Sequence, residues 1–426
     1  MKLNNYKNIF LAGLLVLSAC KPEVDVEPAT SGSADFSAYI AVGDSQTAGF
    51  ADNGLYRAGQ INSFPNIIAT QLKSVGGGTF NQPLFSEAQA DGSGYKKLSS
   101  FVNGSPVITD VQATAVRTTI PIVLFTKYTG NNNNYGIPAL KVQQITAPQV
   151  GNANPYFERM LPGSFPTNNT TYLDFITAKP YTFFTCWLGN NDALLYAVNG
   201  GVGETLTPTA QFVPLYTALV DRLTTGGKKG AVATIPDVTA IPYFTTVTVP
   251  AILASVQRAV PTAKLYINAR ATSDLTNTTY AVREATAADL VILTFPTTLI
   301  GGTAFYGLTP ANPIENKYIL DANEVKLIQE HVIAYNQTIN SVAAAKGLAV
   351  FDAFGFLNNL KKGIVIDGVN LNASFIIGGV FSLDGVHLTP KGYAIEANEF
   401  IKTINAKYNS SVPLASVSAF ASVTFP

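Results

Sequence analysis

A chain of 426 residues with 47% apolar and only 13% charged side chains has material for a large core, in one domain with insertions or in two smaller ones. That composition excludes a largely disordered chain. Lys plus Arg and Asp plus Glu stand at 27 each, and no Lys/Arg-rich run breaks the balance, so the electrostatic footprint of a nucleic-acid binder is missing.

From the amino terminus, Lys2 and Lys7 precede the apolar stretch Ile9 to Leu17, which reads as an export signal over residues 1–19. The stretch is short for a permanent bilayer span. Leu17-Ser18-Ala19-Cys20 resembles a bacterial lipobox, which implies cleavage before Cys20, its acylation, and a lipid anchor on the outer membrane, facing the periplasm or the cell surface. Lys21 and the acidic residues after it resemble the sorting signals of some Gram-negative lipoproteins. Residues 20–35, with their Pro, Ser and acidic side chains, read as a flexible tether. With lipid on Cys20, Cys186 has no partner for a disulfide.

The first strand signal is Tyr39 to Val42, a continuous apolar run suited to a strand covered on both faces of a parallel sheet. It runs into Gly43, Asp44 and Ser45. Ligands bind beyond the carboxyl ends of such strands, so Ser45 is either a turn residue or a nucleophile, with Gly43 permitting a tight bend. Residues 76–133 are rich in Gly, Asn, Ser and Thr and read as a long loop insertion; Val75 to Phe80 lacks the Lys and Ser/Thr of a phosphate loop. Asn134-Tyr135-Gly136 then ends a short strand.

A second apolar run, Tyr181 to Gly189, stops at Asn190-Asn191-Asp192 before an apolar helix start. An Asn amide there is able to donate to a developing oxyanion, whereas Asp192 reads as a helix cap. A helix with Leu215, Leu219, Val220 and Leu223 on one face ends at Gly226-Gly227, and Gly230 to Asp237 is the third strand signal. Residues 238–320, with many Tyr, Phe, Thr and Pro, form the second insertion. Both insertions either wall the site or simply lengthen the surface.

Val325, Ile328, Val332, Tyr335, Ile339 and Val342 give one stripe on a helix over 322–346, capped by Asp321 with Glu324 and closed by Gly347. Gly347 to Asp352 is the fourth strand signal. His331, in that helix, has no apparent partner and reads as structural. Asp384 lies three residues before His387, and Pro390 starts a last helix to about Ile404. An imidazole takes a hydroxyl proton near neutral pH, and a carboxylate three residues earlier is placed to fix its tautomer. Rate through such a pair falls as the ring is protonated, at about pH 6.5 for an unperturbed imidazole. Two well-separated His and one spare Cys give no basis for a metal site, and no cofactor is indicated. The Ser lies outside any G-x-S-x-G elbow, which disfavours the α/β-hydrolase arrangement.

Taken together, "GDSQTAGF", "GNND" and "DGVHLTPKGY" resemble, in this order, the motif blocks of the SGNH hydrolases, also called GDSL esterases and lipases. The resemblance implies a three-layer α/β/α sandwich with a mainly parallel, flavodoxin-like sheet over residues 36–410 and a carboxy-terminal tail over 411–426. It implies a carboxylic ester hydrolase with Ser45 as nucleophile, His387 as base and Asp384 as its orienting carboxylate. Asp44 and Gly189 take supporting places. The oxyanion hole would use the Ser45 N–H, the Asn191 side chain and an N–H from a block that usually carries Gly, where this chain has Ala139. Ala139 suits the role if its φ is negative and is strained if φ is positive; Gly136 is the weaker match. The partner is then a small-molecule, lipid or glycan ester, with the membrane reached only through Cys20. A polysaccharide acetyl esterase and a non-catalytic binding lipoprotein of the same fold are the alternatives.

Overall fold

Short apolar runs closed by Gly, Asn or Asp become strands, and the longer periodic segments become the helices that cover them. The computed structural model describes residues 28–274 and 279–426; the export signal and Cys20 lie outside the described residues. In chain order the layers are built from β1 (Tyr39–Gly43), α1 (Ser45–Ala48), α2 (Phe64–Leu72), β2 (Asn134–Gly136) and β3 (Phe183–Trp187). There follow α3 (Asn191–Val198), α4 (Thr209–Leu223), β4 (Lys229–Ala233), α5 (Ala322–Lys346), β5 (Ala349–Phe351) and α6 (Pro390–Tyr408).

The strands pair in parallel, in the order β5-β4-β3-β1-β2. Counted from the other edge this is 2-1-3-4-5, the flavodoxin-like doubly wound order. Connections leave β1 and β3 in opposite senses, which opens a crevice between their carboxyl ends. All five residues of β1 and of β3 are buried, as helices on both faces require.

On one face Phe64 of α2 stacks on Phe400 of α6 at 5.1 Å, and both rings meet Trp187 of β3. On the other face Phe212 of α4 stacks on Tyr335 of α5 at 4.1 Å. Burying one such aromatic contributes about 1.5–3 kcal/mol, so these two clusters hold the three layers together. The fold is the α/β/α sandwich that the sequence motifs imply.

Helix α5 has the expected ends. Asp321 accepts from the Asn323 and Glu324 N–H groups, and Gly347 closes the helix at a φ of 64°. Its buried face is broader than the stripe of spacings. Leu327 and Ala343 belong to it, while Val325 and Val342 sit at its half-buried margin, because the helix packs on α4 and on the sheet at once. Helix α6 runs past Ile404 to Tyr408, whose hydroxyl donates to the Gly230 carbonyl at 2.7 Å. That tertiary bond adds the last turn.

Both insertions contain strands where their composition suggested loops. Residues 76–133 hold the hairpin Tyr95–Val102/Ser105–Val111, and 238–320 hold Tyr266–Arg270/Tyr280–Glu284. The first turns at Asn103-Gly104, both with positive φ, a hairpin signal that the sequence carries in plain view. At the far end of the domain Ser33 N–H donates to the Tyr408 carbonyl at 2.8 Å, and Thr30 N–H to Ser411 Oγ at 2.8 Å. The tail is docked as well, with Val412 and Val417 buried and Asn398 bonded to Ala415 through both its amide atoms.

Candidate active site

Strand β1 delivers Ser45 to the crevice as the first residue of α1. Asp44 caps that helix, its Oδ1 accepting from Gln46 N–H at 3.1 Å. Gly43 is needed for space rather than for a special φ: a Cβ there would lie 2.1 Å from Thr47 Oγ1 and 2.4 Å from the Trp187 carbonyl. The glycine thus lets α1 fold back against β3. Ser45 is 6% exposed, and among the described residues its N–H has no acceptor.

The segment before α6 brings the other two groups. Ser45 Oγ lies 2.8 Å from His387 Nε2, and His387 Nδ1 lies 2.8 Å from Asp384 Oδ2. Asp384 Oδ1 accepts from the N–H groups of Val386 and His387, each at 2.8 Å. Burial alone would raise the Asp384 pKa. The facing imidazole and these hydrogen bonds outweigh it and hold the carboxyl well below the usual carboxylate range. An ionised Asp384 selects the tautomer with hydrogen on Nδ1, leaving Nε2 as acceptor for the Ser45 hydroxyl. Phe50 packs on the imidazole at 4.7 Å between ring centroids, a contact the motifs did not announce.

Strand β3 supplies the opposite wall. Gly189 has a φ of 124°, and a Cβ on it would press on Ile235 and the Phe212 ring. Asn190 Nδ2 donates to Asp44 Oδ2 at 2.9 Å, joining the loops after β1 and β3. Asn191 follows, its Nδ2 bonded to the Leu140 carbonyl at 3.1 Å, which leaves the second amide hydrogen free. Asp192 is not the helix cap that its place suggested. It lies inside the first turn of α3 and accepts from Val142 N–H at 2.7 Å and from the Thr207 hydroxyl at 2.6 Å. It clamps the loop after β2 against α3.

Ala139 sits in that loop with a φ of 63° and with its N–H unpaired among the described residues. The negative-φ alternative is therefore overturned, and this Ala occupies backbone that favours Gly. Ala139→Gly keeps the N–H and relieves the strain. It is expected to raise the unfolding free energy by about 1 kcal/mol, read from a urea titration. A lower midpoint would contradict it. Gly136 instead lies in β2, beneath α1, where a Cβ would meet Ala48 N at 2.3 Å. His331 is half-buried on α5, with Nδ1 2.8 Å from the Leu327 carbonyl, and does not line the cleft.

Ser45, Ala139, Asn191, Asp384 and His387 all line one cleft of about 280 Å³. Its other walls are mostly apolar: Phe50, Tyr156, Leu194, Leu195, Val198 and Tyr243. Tyr243 comes from the 238–320 insertion, so that segment does wall the site. Clefts of about 600 and 760 Å³ elsewhere contain none of these polar groups. Among the described residues no group of three or more His, Cys, Asp or Glu is placed to hold a metal ion. A hydroxyl within reach of an imidazole, and three residues with an unpaired N–H lining the same cleft, form an arrangement able to deprotonate the hydroxyl and receive an oxyanion.

Burial pushes the carboxyls of Asp44, Asp52 and Asp192 up to about 6, more than their hydrogen bonds lower them. Each binds a proton in the fold at a pH where the unfolded chain has lost it, so stability grows as pH falls from about 6 towards 4. The low Asp384 pKa acts only below that window. The urea midpoint is thus expected to be higher at pH 5 than at pH 7.5, and a fall over that interval would contradict the placement of these groups.

Sheet order, crevice and the Ser–His–Asp contacts define a three-layer α/β/α protein with a hydrolase-type site at its topological switch point. A model of the GDSL-like lipase/acylhydrolase family matches residues 39–400, and the chain belongs to that family. It is by that membership a hydrolase of ester substrates. Among solved structures, the lipase/acylhydrolase from Enterococcus faecalis is similar over 88% of this chain and 98% of its own, at 10% identity and a TM-score of 0.33. No curated protein matches the sequence.

Proposed function

We propose that the protein is a serine carboxylic ester hydrolase working through an acyl-enzyme. Ser45 Oγ attacks the ester carbonyl as its proton passes to His387 Nε2, and the imidazolium is stabilised by Asp384. The oxyanion is received by the N–H groups of Ser45 and Ala139 and by the Asn191 amide. The alcohol leaves with the proton from His387; water, deprotonated by the same ring, then releases the acid and restores Ser45. The observation that carries this reading is the unbroken chain Ser45–His387–Asp384, two contacts of 2.8 Å between residues from opposite ends of the domain.

The mostly apolar cleft of about 280 Å³ suits a short acyl group, and the adjoining hollow of about 400 Å³, which shares Pro138, Ala139, Tyr156 and Leu195 and adds polar walls, suits a polar alcohol portion. That supports the polysaccharide acetyl esterase as the second reading. The test is hydrolysis of acetyl, hexanoyl and palmitoyl esters of one chromogenic alcohol by the mature protein, with Ser45→Ala as control. Turnover falling with chain length is the expected result. A preference for palmitoyl would favour a long-chain lipase, and equal rates in Ser45→Ala would overturn the hydrolase mechanism.

The proposal includes lipid attachment at Cys20 and a place on the outer membrane, which rest on the sequence of the export signal. Among the described residues no helix is long and apolar enough to cross a membrane. The tether joins the domain beside Tyr408, the far end of α6 from His387, and a helix of 19 residues is about 28 Å long. A lipid at Cys20 would accordingly hold the domain by the pole opposite its catalytic mouth, which supports a substrate met away from the anchoring leaflet.

A further inference from the structure

The Asp384–His387 pair is gripped from a segment outside the three motifs. Ala51 and Gly54 exchange both backbone hydrogen bonds, at 3.0 and 2.9 Å, around Asp52 and Asn53, whose φ values are 52° and 62°. This is a tight turn with two successive non-Gly residues in the left-handed region, a conformation that persists where its surroundings fix it. Those surroundings are the catalytic carboxylate. Asn53 N–H donates at 2.8 Å to Asp384 Oδ2, the oxygen that also meets His387 Nδ1. Asp52 N–H donates to Ser382 Oγ at 2.9 Å, and that hydroxyl donates to Asp384 Oδ1 at 3.1 Å. The Asp52 carboxylate completes the lock, taking Leu383 N–H at 2.9 Å and the Tyr56 hydroxyl at 2.7 Å. Both oxygens of Asp384 are thus reached from one turn.

We infer that the Asp52–Asn53 turn is a positioning element for the hydrolytic pair, with Asp52 acting through Leu383 and Ser382 to fix the direction of Asp384. The inference rests on the ester-hydrolase reading above. With the turn displaced, Asp384 keeps the Val386 and His387 N–H groups on Oδ1 but loses the Asn53 N–H on Oδ2, the oxygen that meets Nδ1, so the carboxylate pivots about Oδ1 and the imidazole follows it. Misplacement by about 1 Å costs about 10²-fold in rate. Substrate binding, which uses the apolar walls, is left alone. The effect belongs in kcat, not in KM.

Steady-state hydrolysis of p-nitrophenyl acetate by the mature chain tests this. Asp52→Ala is expected to lower kcat by about 10²-fold with KM within about twofold. Asp52→Asn, whose amide oxygen still accepts from Leu383, recovers kcat to within about fivefold of native. Asn53→Gly keeps the N–H on Asp384 and suits the positive φ but removes a side chain that lines the cleft, so the change it brings falls on KM rather than kcat. In proton NMR the downfield signal of the His387 Nδ1 hydrogen moves in Asp52→Ala and not in Asn53→Gly. Where Asp52→Ala fails to fold, Tyr56→Phe removes only one donor to Asp52, and kcat is expected to fall by about threefold or more at unchanged KM. Native kcat in whichever of these two variants folds, or an unmoved imidazole signal, overturns the positioning role. Ser45→Ala separates the two ideas: activity lost there but retained in Asp52→Ala ends this inference alone, whereas activity retained in Ser45→Ala ends the hydrolase reading on which it stands.

Discussion

Asp384→Asn is expected to lower kcat for ester hydrolysis by about 10⁴-fold, and to lower the unfolding free energy by about 1–3 kcal/mol because one backbone donor loses its acceptor. The side chain keeps its shape, so the effect is one of proton placement. Asp384 accepts hydrogen at every contact the structure gives it, from Ser382, Asn53, Val386, His387 N–H and His387 Nδ1. An Asn must turn either its oxygen or its amide group towards Nδ1. The Val386 and His387 N–H groups claim the oxygen at the Oδ1 place, which leaves the amide at the Oδ2 place, facing the ring and the Asn53 N–H. The imidazole then takes the other tautomer, with hydrogen on Nε2, and loses its ability to accept from Ser45. Activity within tenfold of native would show that Asp384 does not set the tautomer.

Asn191→Ala is expected to cost about 10²–10³-fold in kcat, the loss seen when one side-chain donor is removed from an oxyanion hole. Asn191 is 2% exposed, its amide is held by the bond to the Leu140 carbonyl, and it lines the same cleft as Ala139. The same bond ties α3 to the loop after β2, so the variant also loses about 1 kcal/mol of stability, which the urea midpoint reports separately. Unchanged kcat with a lowered midpoint would make Asn191 a structural link and leave the two backbone N–H groups as the hole.

What the sequence disclosed has a physical pattern. Four of the five strands were legible because they read as apolar runs; β2, Asn-Tyr-Gly at the sheet edge, carries no such run. Helix α5 was legible because a capping box and an αL glycine mark its two ends. The Ser, Asn and Asp–His stretches were recognisable because each sits where a strand or loop meets a helix, with Gly or Pro punctuating the junction. The turn at Asp52 was invisible: its role lies in backbone N–H groups and in contacts with residues some 330 positions away, and neither leaves a trace in composition. Asp192 was misjudged for a related reason. An Asp at a helix start is usually a cap, but here the loop after β2 presents better donors. Ala139 carries a φ that its residue type argues against, so only coordinates decide it.

The most direct test is covalent labelling of the mature protein with a fluorophosphonate, followed by peptide mass spectrometry. The account predicts one adduct, on Ser45, formed by the native protein, slowed in His387→Ala and absent in Ser45→Ala. No adduct on the native protein, or an adduct formed equally fast without His387, would contradict it.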